Sequence, residues 1–162
     1  MNKNIKFLNL FFIISFSLFS WSYAAGTSSG GDGNDNESLY KQGTKLVLRA
    51  KKQEKKNKVE QAQKLYLKAY NKFEKAYAKN KKSADILNYL GYTLRKTGNL
   101  EKAEVYYLKG LKLDASHLGI NEYLGELYVE TKRIELAKER LDVIKGCECE
   151  EYEELKELIK NN

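Results

Sequence analysis

Residues 86–103 and 120–137 of this 162-residue chain repeat one another at an offset of 34. Ile86 pairs with Ile120, Tyr89-Leu90-Gly91 with Tyr123-Leu124-Gly125, Thr97 with Thr131, Glu101 with Glu135 and Ala103 with Ala137. Seven identities at one shift mark a tandem unit. A unit this short cannot bury its apolar side alone and must stack on its neighbours. The last unit then needs a closing element with one polar face.

The apolar residues around the repeat keep a helical period. Leu39, Tyr40, Gly43, Leu46, Val47 and Ala50 fall on one helical face, as do Ala62, Leu65, Tyr66, Ala69, Tyr70, Phe73, Ala76 and Tyr77. Lys55-Lys56-Asn57-Lys58 is the turn between them. Stepping back 34 from Ala103 reaches Ala69, but Gly43 lies 14 residues further back than the later spacing requires. The pattern therefore predicts a divergent, elongated first hairpin over 37–82, two repeats over 83–149 and a capping helix over 150–162. In that last helix Tyr152, Leu155, Leu158 and Ile159 line one face and acids the other. The expected fold class is all-α.

The Leu-Gly pairs at Leu90-Gly91 and Leu124-Gly125, with Ala103 and Ala137 each 12 residues after the glycine, resemble the tetratricopeptide repeat family. Small residues at these places let two helices cross closely, so Gly91 with Ala103 and Gly125 with Ala137 are the expected close approaches. Tyr107 and Leu141 follow four residues after each alanine. The family's tryptophan and proline positions hold Leu87 and Asn121, and Ala115 and Cys149. The resemblance implies a short α-solenoid of helical hairpins whose first helices line a groove for a peptide or protein segment. Its groove positions fall on Asp85, Asn88, Tyr89, Tyr92, Arg95 and Lys96, and on Glu122, Tyr123, Glu126 and Glu130. The family's Lys/Asn carboxylate clamp is not evident in them.

Residues 1–24 differ from the rest. Lys3 and Lys6 precede an apolar run from Phe7 to Phe19, and Ser22-Tyr23-Ala24 supplies small residues at the −3 and −1 positions of a cut. This is the layout of a secretory signal peptide cleaved after Ala24. The apolar run is shorter than the ~20 residues a spanning helix needs. Residues 25–36, rich in Gly, Ser, Asn and Asp, read as a flexible leader. The leader and repeats together resemble an exported bacterial member of the repeat family, periplasmic or secreted.

The side chains available for chemistry are few. His117 is the sole histidine, which leaves nucleophilic triads without material. It stands beside Ser116, the expected helix N-cap. Gly30-Gly31-Asp32-Gly33 precedes no strand and makes no phosphate loop. Cys147 and Cys149 are one residue apart. An intrachain disulfide, an intermolecular bond and two free thiols all remain open, whereas a zinc site lacks further ligands. No enzyme, cofactor or metal is expected.

Charge is unevenly distributed. Residues 41–82 hold 15 basic and 3 acidic side chains, and residues 83–162 hold 12 and 16. Lys41, Lys45, Arg49, Lys52 and Lys56 recur at near-helical spacing, as do Lys64, Lys68, Lys72, Lys75 and Lys79. Such a stripe is a solvated face or a dock for an anionic envelope surface, lipid or polysaccharide. Nucleic acid is not expected, since the stripe region holds one arginine and no base-reading motif. The leading expectation is an exported, non-enzymatic scaffold that binds a protein or peptide in the groove.

Overall fold

The structure, a computed structural model, describes residues 32–162; the expected signal peptide, and the leader up to residue 31, lie outside the described residues. Seven helices follow one another: α1 (Asp32–Glu54), α2 (Val59–Lys79), α3 (Ala84–Lys96), α4 (Leu100–Leu111), α5 (Leu118–Glu130), α6 (Ile134–Val143) and α7 (Glu150–Lys160). No strand element occurs among the described residues. Helix α1 opens at Asp32, so residues 32–36 of the expected leader already have helical backbone. Acidic residue types near a helix start suit the positive end of its dipole.

Local chemistry sets the boundaries. Ser83 and Asn99 accept hydrogen bonds from the Ile86 and Lys102 amides and cap α3 and α4. The cap of α5 is His117 rather than Ser116: the imidazole Nδ1 accepts from the Ile120 amide, while the Ser116 hydroxyl donates to Asp114. The repeated threonines close the first helix of each repeat. Thr97 Oγ1 donates to the Thr93 and Leu94 carbonyls, and Thr131 Oγ1 to those of Leu127 and Tyr128. The next residue turns into the left-handed region, Gly98 at φ 86° and Lys132 at φ 62°. Paired backbone bonds then reach back over the helix end, Gly98 N to Arg95 O with Asn99 N to Leu94 O, and Lys132 N to Val129 O with Arg133 N to Tyr128 O.

Helices pair as antiparallel neighbours, α1 with α2, α3 with α4 and α5 with α6, and α7 packs across α5 and α6. Ala69, Ala103 and Ala137, 34 apart, are all fully buried. The atoms nearest to each repeat glycine's missing side chain belong to larger residues. A Cβ on Gly91 would stand 2.5 Å from the Tyr107 ring, and one on Gly43 2.5 Å from the Phe73 ring. The side chain above each glycine is thus the aromatic four residues beyond the alanine. In the last repeat a Cβ on Gly125 would meet Leu155 of α7, at 2.5 Å, instead of Leu141. Leu155 is fully buried there, and Leu158 and Ile159 pack beside it. The capping helix therefore inserts its own side chain into the seat that the pattern assigned to α6.

The backbones of the first helices approach one another along the array, α1 to α3 and α3 to α5, whereas α2 and α4 meet through side chains alone, Lys102 Nζ donating to the Tyr70 hydroxyl at 3.0 Å and Tyr77 lying edge-on to Tyr106. An array whose first helices meet and whose second helices diverge curves toward the first helices. That inner face is where the groove lies.

Candidate partner-binding groove

The groove is built on tyrosines. Tyr89 and Tyr123 repeat at the 34-residue offset, and Tyr92 follows Tyr89 by three residues on the same face of α3. Tyr40 of α1 meets Tyr89 edge-on with centroids 5.6 Å apart, and Tyr89 stacks on Phe73 at 4.9 Å. Tyr92 tilts against Tyr123 at 4.7 Å and meets Tyr66 at 5.8 Å. Tyr92 is only 4% exposed and belongs to the core, so it offers no contact surface. Tyr89 and Tyr123 are half-buried, each with part of the ring on the inner face. Burial raises the hydroxyl pKa of Tyr40, Tyr89, Tyr92 and Tyr123 alike, so all four are neutral hydrogen-bonding groups.

At the C-terminal ends of α3 and α5 the expected groove cations already have partners. Arg95 is hydrogen-bonded to Glu126 and lies 3.7 Å from Glu130. Burial works against the Arg95 charge, but the neighbouring carboxylates outweigh it and hold its pKa above the usual value. Lys96 Nζ sits 2.8 Å from Glu54 of α1, and Lys51 Nζ lies 5.2 Å from the centre of the Tyr92 ring. Sequence reasoning placed Arg95, Lys96 and Glu126 on the groove, and all three are partly exposed. They are also the ties between α1, α3 and α5.

The N-terminal ends of α3 and α5 are different. They border an open surface depression of about 570 Å³ that Tyr40, Tyr89 and Tyr123 help to line. Its carboxyl groups are Asp85 on α3, Asp114 before α5, Glu122 on α5 and Glu151 on α7, of which Asp85 and Asp114 are exposed, and its lining contains no lysine or arginine. His117 also lines it. Its Nδ1 accepts from a backbone amide, so the ring proton is on Nε2, which faces Asp85 Oδ1 at 3.2 Å as a neutral donor. Asn88, 7% exposed, stands in the same wall, and its Oδ1 has no hydrogen-bond partner among the described residues.

Glu122 is 3% exposed. Burial, a hydrogen bond with Glu154 and the charges of Glu126, Glu154 and Glu151 push its pKa up to about 9. The carboxylates of Glu122, Glu126 and Glu154 come within 4.8 Å of one another, a spacing that a divalent cation could bridge. Arg95 already neutralises Glu126, and the proton on Glu122 removes a second charge. Tyr40, Glu151 and Glu154 were not foreseen as groove residues. Tyr40 carried a signal, its place on the apolar face of α1, whereas Glu151 and Glu154 belong to the acids that the spacing set on the polar side of α7.

The other expected features lie elsewhere. Lys64, Lys68, Lys75 and Lys79 are exposed along α2, and Lys72 donates to Gln42 on α1 at 2.7 Å. Lys41, Lys45, Arg49, Lys52 and Lys56 are exposed as well. Cys147 and Cys149 are joined by an intrachain disulfide between α6 and α7, with Cα atoms 5.1 Å apart. Among the described residues no helix is long and apolar enough to cross a membrane.

Residues 72–105, from the middle of α2 into α4, match the tetratricopeptide repeat family. That stretch carries a tetratricopeptide repeat, and the chain has the fold of a tetratricopeptide array. Solved tetratricopeptide structures share its fold. The Arabidopsis OM64 domain is 12% identical, with a TM-score of 0.60 over 81% of this chain and 98% of that one. The Yersinia enterocolitica type III secretion chaperone SycD, in complex with a peptide of the translocator YopD, is 18% identical, with a TM-score of 0.55 over 82% and 90%. The second tetratricopeptide domain of human RPAP3, in complex with an HSP70 peptide, is 16% identical, with a TM-score of 0.51 over 78% and 99%. No curated protein matches the sequence.

Proposed function

We propose that this protein is an exported, non-enzymatic scaffold that binds a segment of a partner protein along the inner faces of α1, α3 and α5. The observation that carries the reading is the pair Tyr89 and Tyr123. They are rigid aromatics at equivalent places in successive repeats, half-buried and open to the groove. Such side chains give broad contact area at small entropic cost. The peptide complexes of SycD and RPAP3, which share the fold, support a groove of this kind. Export rests on Lys3, Lys6, the Phe7–Phe19 run and Ala24. A photo-crosslinking residue at position 123, introduced in the cell of origin, tests the groove. A discrete protein adduct at 123, absent when the same residue stands at exposed Lys109 on α4, is the expected result. Equal adducts at both positions would remove the groove as the working surface.

A second reading has the exposed lysines of α2 in its favour. They form a continuous stripe away from the groove, beside exposed Val59 and Leu67. In this reading the first hairpin docks on anionic lipid or polysaccharide of the envelope. Sedimentation with vesicles containing phosphatidylglycerol, compared with neutral vesicles, tests it.

A further inference from the structure

We infer that the Cys147–Cys149 disulfide is an exchangeable bond, a site that passes its oxidation to a pair of cysteine thiols on another protein. It is independent of the groove and adds a stoichiometric chemistry to the scaffold, one disulfide given up per chain.

The bond holds little of the fold. Only Glu148 separates the two cysteines, and a crosslink restricts the unfolded chain least when the loop that it closes is shortest. Both ends of the turn are fixed by other means. Ile144 is buried, and the Cys147 amide donates to its carbonyl at 3.2 Å. Leu155 is fully buried above Gly125 and anchors α7. Reduction therefore leaves the helices in place and the two thiols side by side, as a bond that is made and broken requires.

The bond is also open to attack. Both cysteines are partly exposed and line an open surface depression with Lys145, Gly146 and Tyr152. A Cβ on Gly146 would meet no atom within 4 Å, so the space beside Cys147 is clear for an incoming chain.

The two sulfurs are not equivalent. Cys149 is the N-cap of α7, and its side chain accepts no bond from the first-turn amides. Those amides have no acceptor within the helix. A thiolate released at Cys149 gains them as donors and meets the positive end of the α7 dipole. Glu148 and Glu150 oppose that charge, but both are exposed and screened by water, whereas a direct amide bond is not. Glu151 stands in the same turn, and Glu153 is engaged by Lys156 at 3.2 Å. Cys149 is thus the better leaving group, and Cys147 Sγ is the atom attacked.

The exchange balances. A substrate thiolate attacks Cys147 Sγ, the Sγ–Sγ bond breaks, and its electron pair goes to Cys149 Sγ. A second substrate thiolate attacks the substrate sulfur of the mixed disulfide and releases Cys147. Two electrons reach this chain, its two thiolates take up the two protons that the substrate thiols lost, and the substrate ends as a disulfide.

The test mixes the oxidised full chain with a short reduced peptide that holds two cysteines, blocks free thiols with N-ethylmaleimide and reads both partners by mass spectrometry. The chain should gain two labels as the peptide loses two, about tenfold or more faster than the isolated Cys-Glu-Cys peptide disulfide reacts. With a single-cysteine peptide, the trapped mixed disulfide should lie on Cys147; an adduct on Cys149 would overturn the role given to the α7 amides. Cys147→Ser/Cys149→Ser should melt within a few degrees of the oxidised parent. A fall of about 10 °C or more would make the bond a structural clamp and overturn the exchange. A chain that stays oxidised in the presence of the peptide would overturn it too, as would one that free cysteine reduces but that never converts the peptide to its disulfide.

Discussion

Gly98 and Lys132 occupy the same place in successive repeats, and only one of them suits it. Each follows the threonine that closes a first helix, and each takes φ near the left-handed region, 86° and 62°. A residue with a Cβ pays roughly 1 kcal/mol there, which glycine avoids. Lys132 is exposed. Lys132→Gly should therefore stabilise the protein by about 0.5–1 kcal/mol, seen as a raised urea midpoint at constant m-value. A lowered midpoint would mean that Lys132 makes a compensating contact. Gly91 behaves in the opposite way. A Cβ there meets the fully buried Tyr107 ring at 2.5 Å, and the ring has no free space to enter. Overpacking of this kind costs about 1–3 kcal/mol, partly offset by the better helix propensity of alanine. Gly91→Ala should lose about 1–2 kcal/mol in the same assay, and a variant as stable as the parent would show that Tyr107 can be displaced. The identities at offset 34 thus have distinct causes: glycine seats an aromatic, threonine closes a helix and alanine lets backbones approach.

The contact between α5 and α7 carries an electrostatic conflict. Glu122 meets Glu154 and Glu151 of α7 and Glu126 of its own helix, with Arg95 of α3 engaged by Glu126. Its pKa in the native protein, about 9, lies above the ordinary carboxyl value of 4.5. Between those values the native state holds a proton that the unfolded chain has lost, so stability falls as pH rises through that window. Thermal melts at pH 5, 7 and 9 should show a steady decline of several degrees in the parent. Glu122→Gln, permanently neutral, should show a flatter profile and be the more stable form at pH 9. Parallel profiles would place the conflict elsewhere. This element also shows what the sequence could and could not reveal. Helical period, the 34-residue offset and the 14-residue lengthening of the first hairpin all follow from one-dimensional spacing, whereas the start of α1 at Asp32, within the expected leader, does not. The contact between α5 and α7 breaks the repeat, because Leu155 rather than Leu141 fills the seat above Gly125. A non-repeating contact leaves no periodic signal. The same holds for the depression, whose lining comes from α1, α3, α5 and α7, four segments that no fixed spacing links. Tyr92 was misplaced for a related reason: period gives the face of a helix, but not whether the neighbouring helix covers it.

At the scale of the whole molecule the inner face and the outer basic stripe compete as the working surface, and export decides what each can meet. If the segment ending at Ala24 is a signal peptide, protein from its native cell should begin at Ala25 or within a residue or two, read by mass spectrometry of the intact chain; Met1 retained on soluble cytoplasmic protein would dismiss the compartment. The two surfaces differ in how salt should act on them. The lysines of α2 are spread along an exposed helix, and exposed charges are screened over ~8–10 Å at moderate salt. The groove reading rests on half-buried, uncharged tyrosines, which salt does not screen. Partner affinity measured at low and at physiological salt should therefore change little if the groove binds, while Tyr123→Ala removes ~2 kcal/mol or more, as a buried interface aromatic does. Gln at Lys64, Lys68, Lys72, Lys75 and Lys79 should then leave affinity intact. Should the stripe bind instead, affinity falls steeply with salt, the Gln set abolishes it and Tyr123→Ala is silent. Loss of vesicle sedimentation in the Gln set, with partner affinity unchanged in the same protein, would show the two faces working independently.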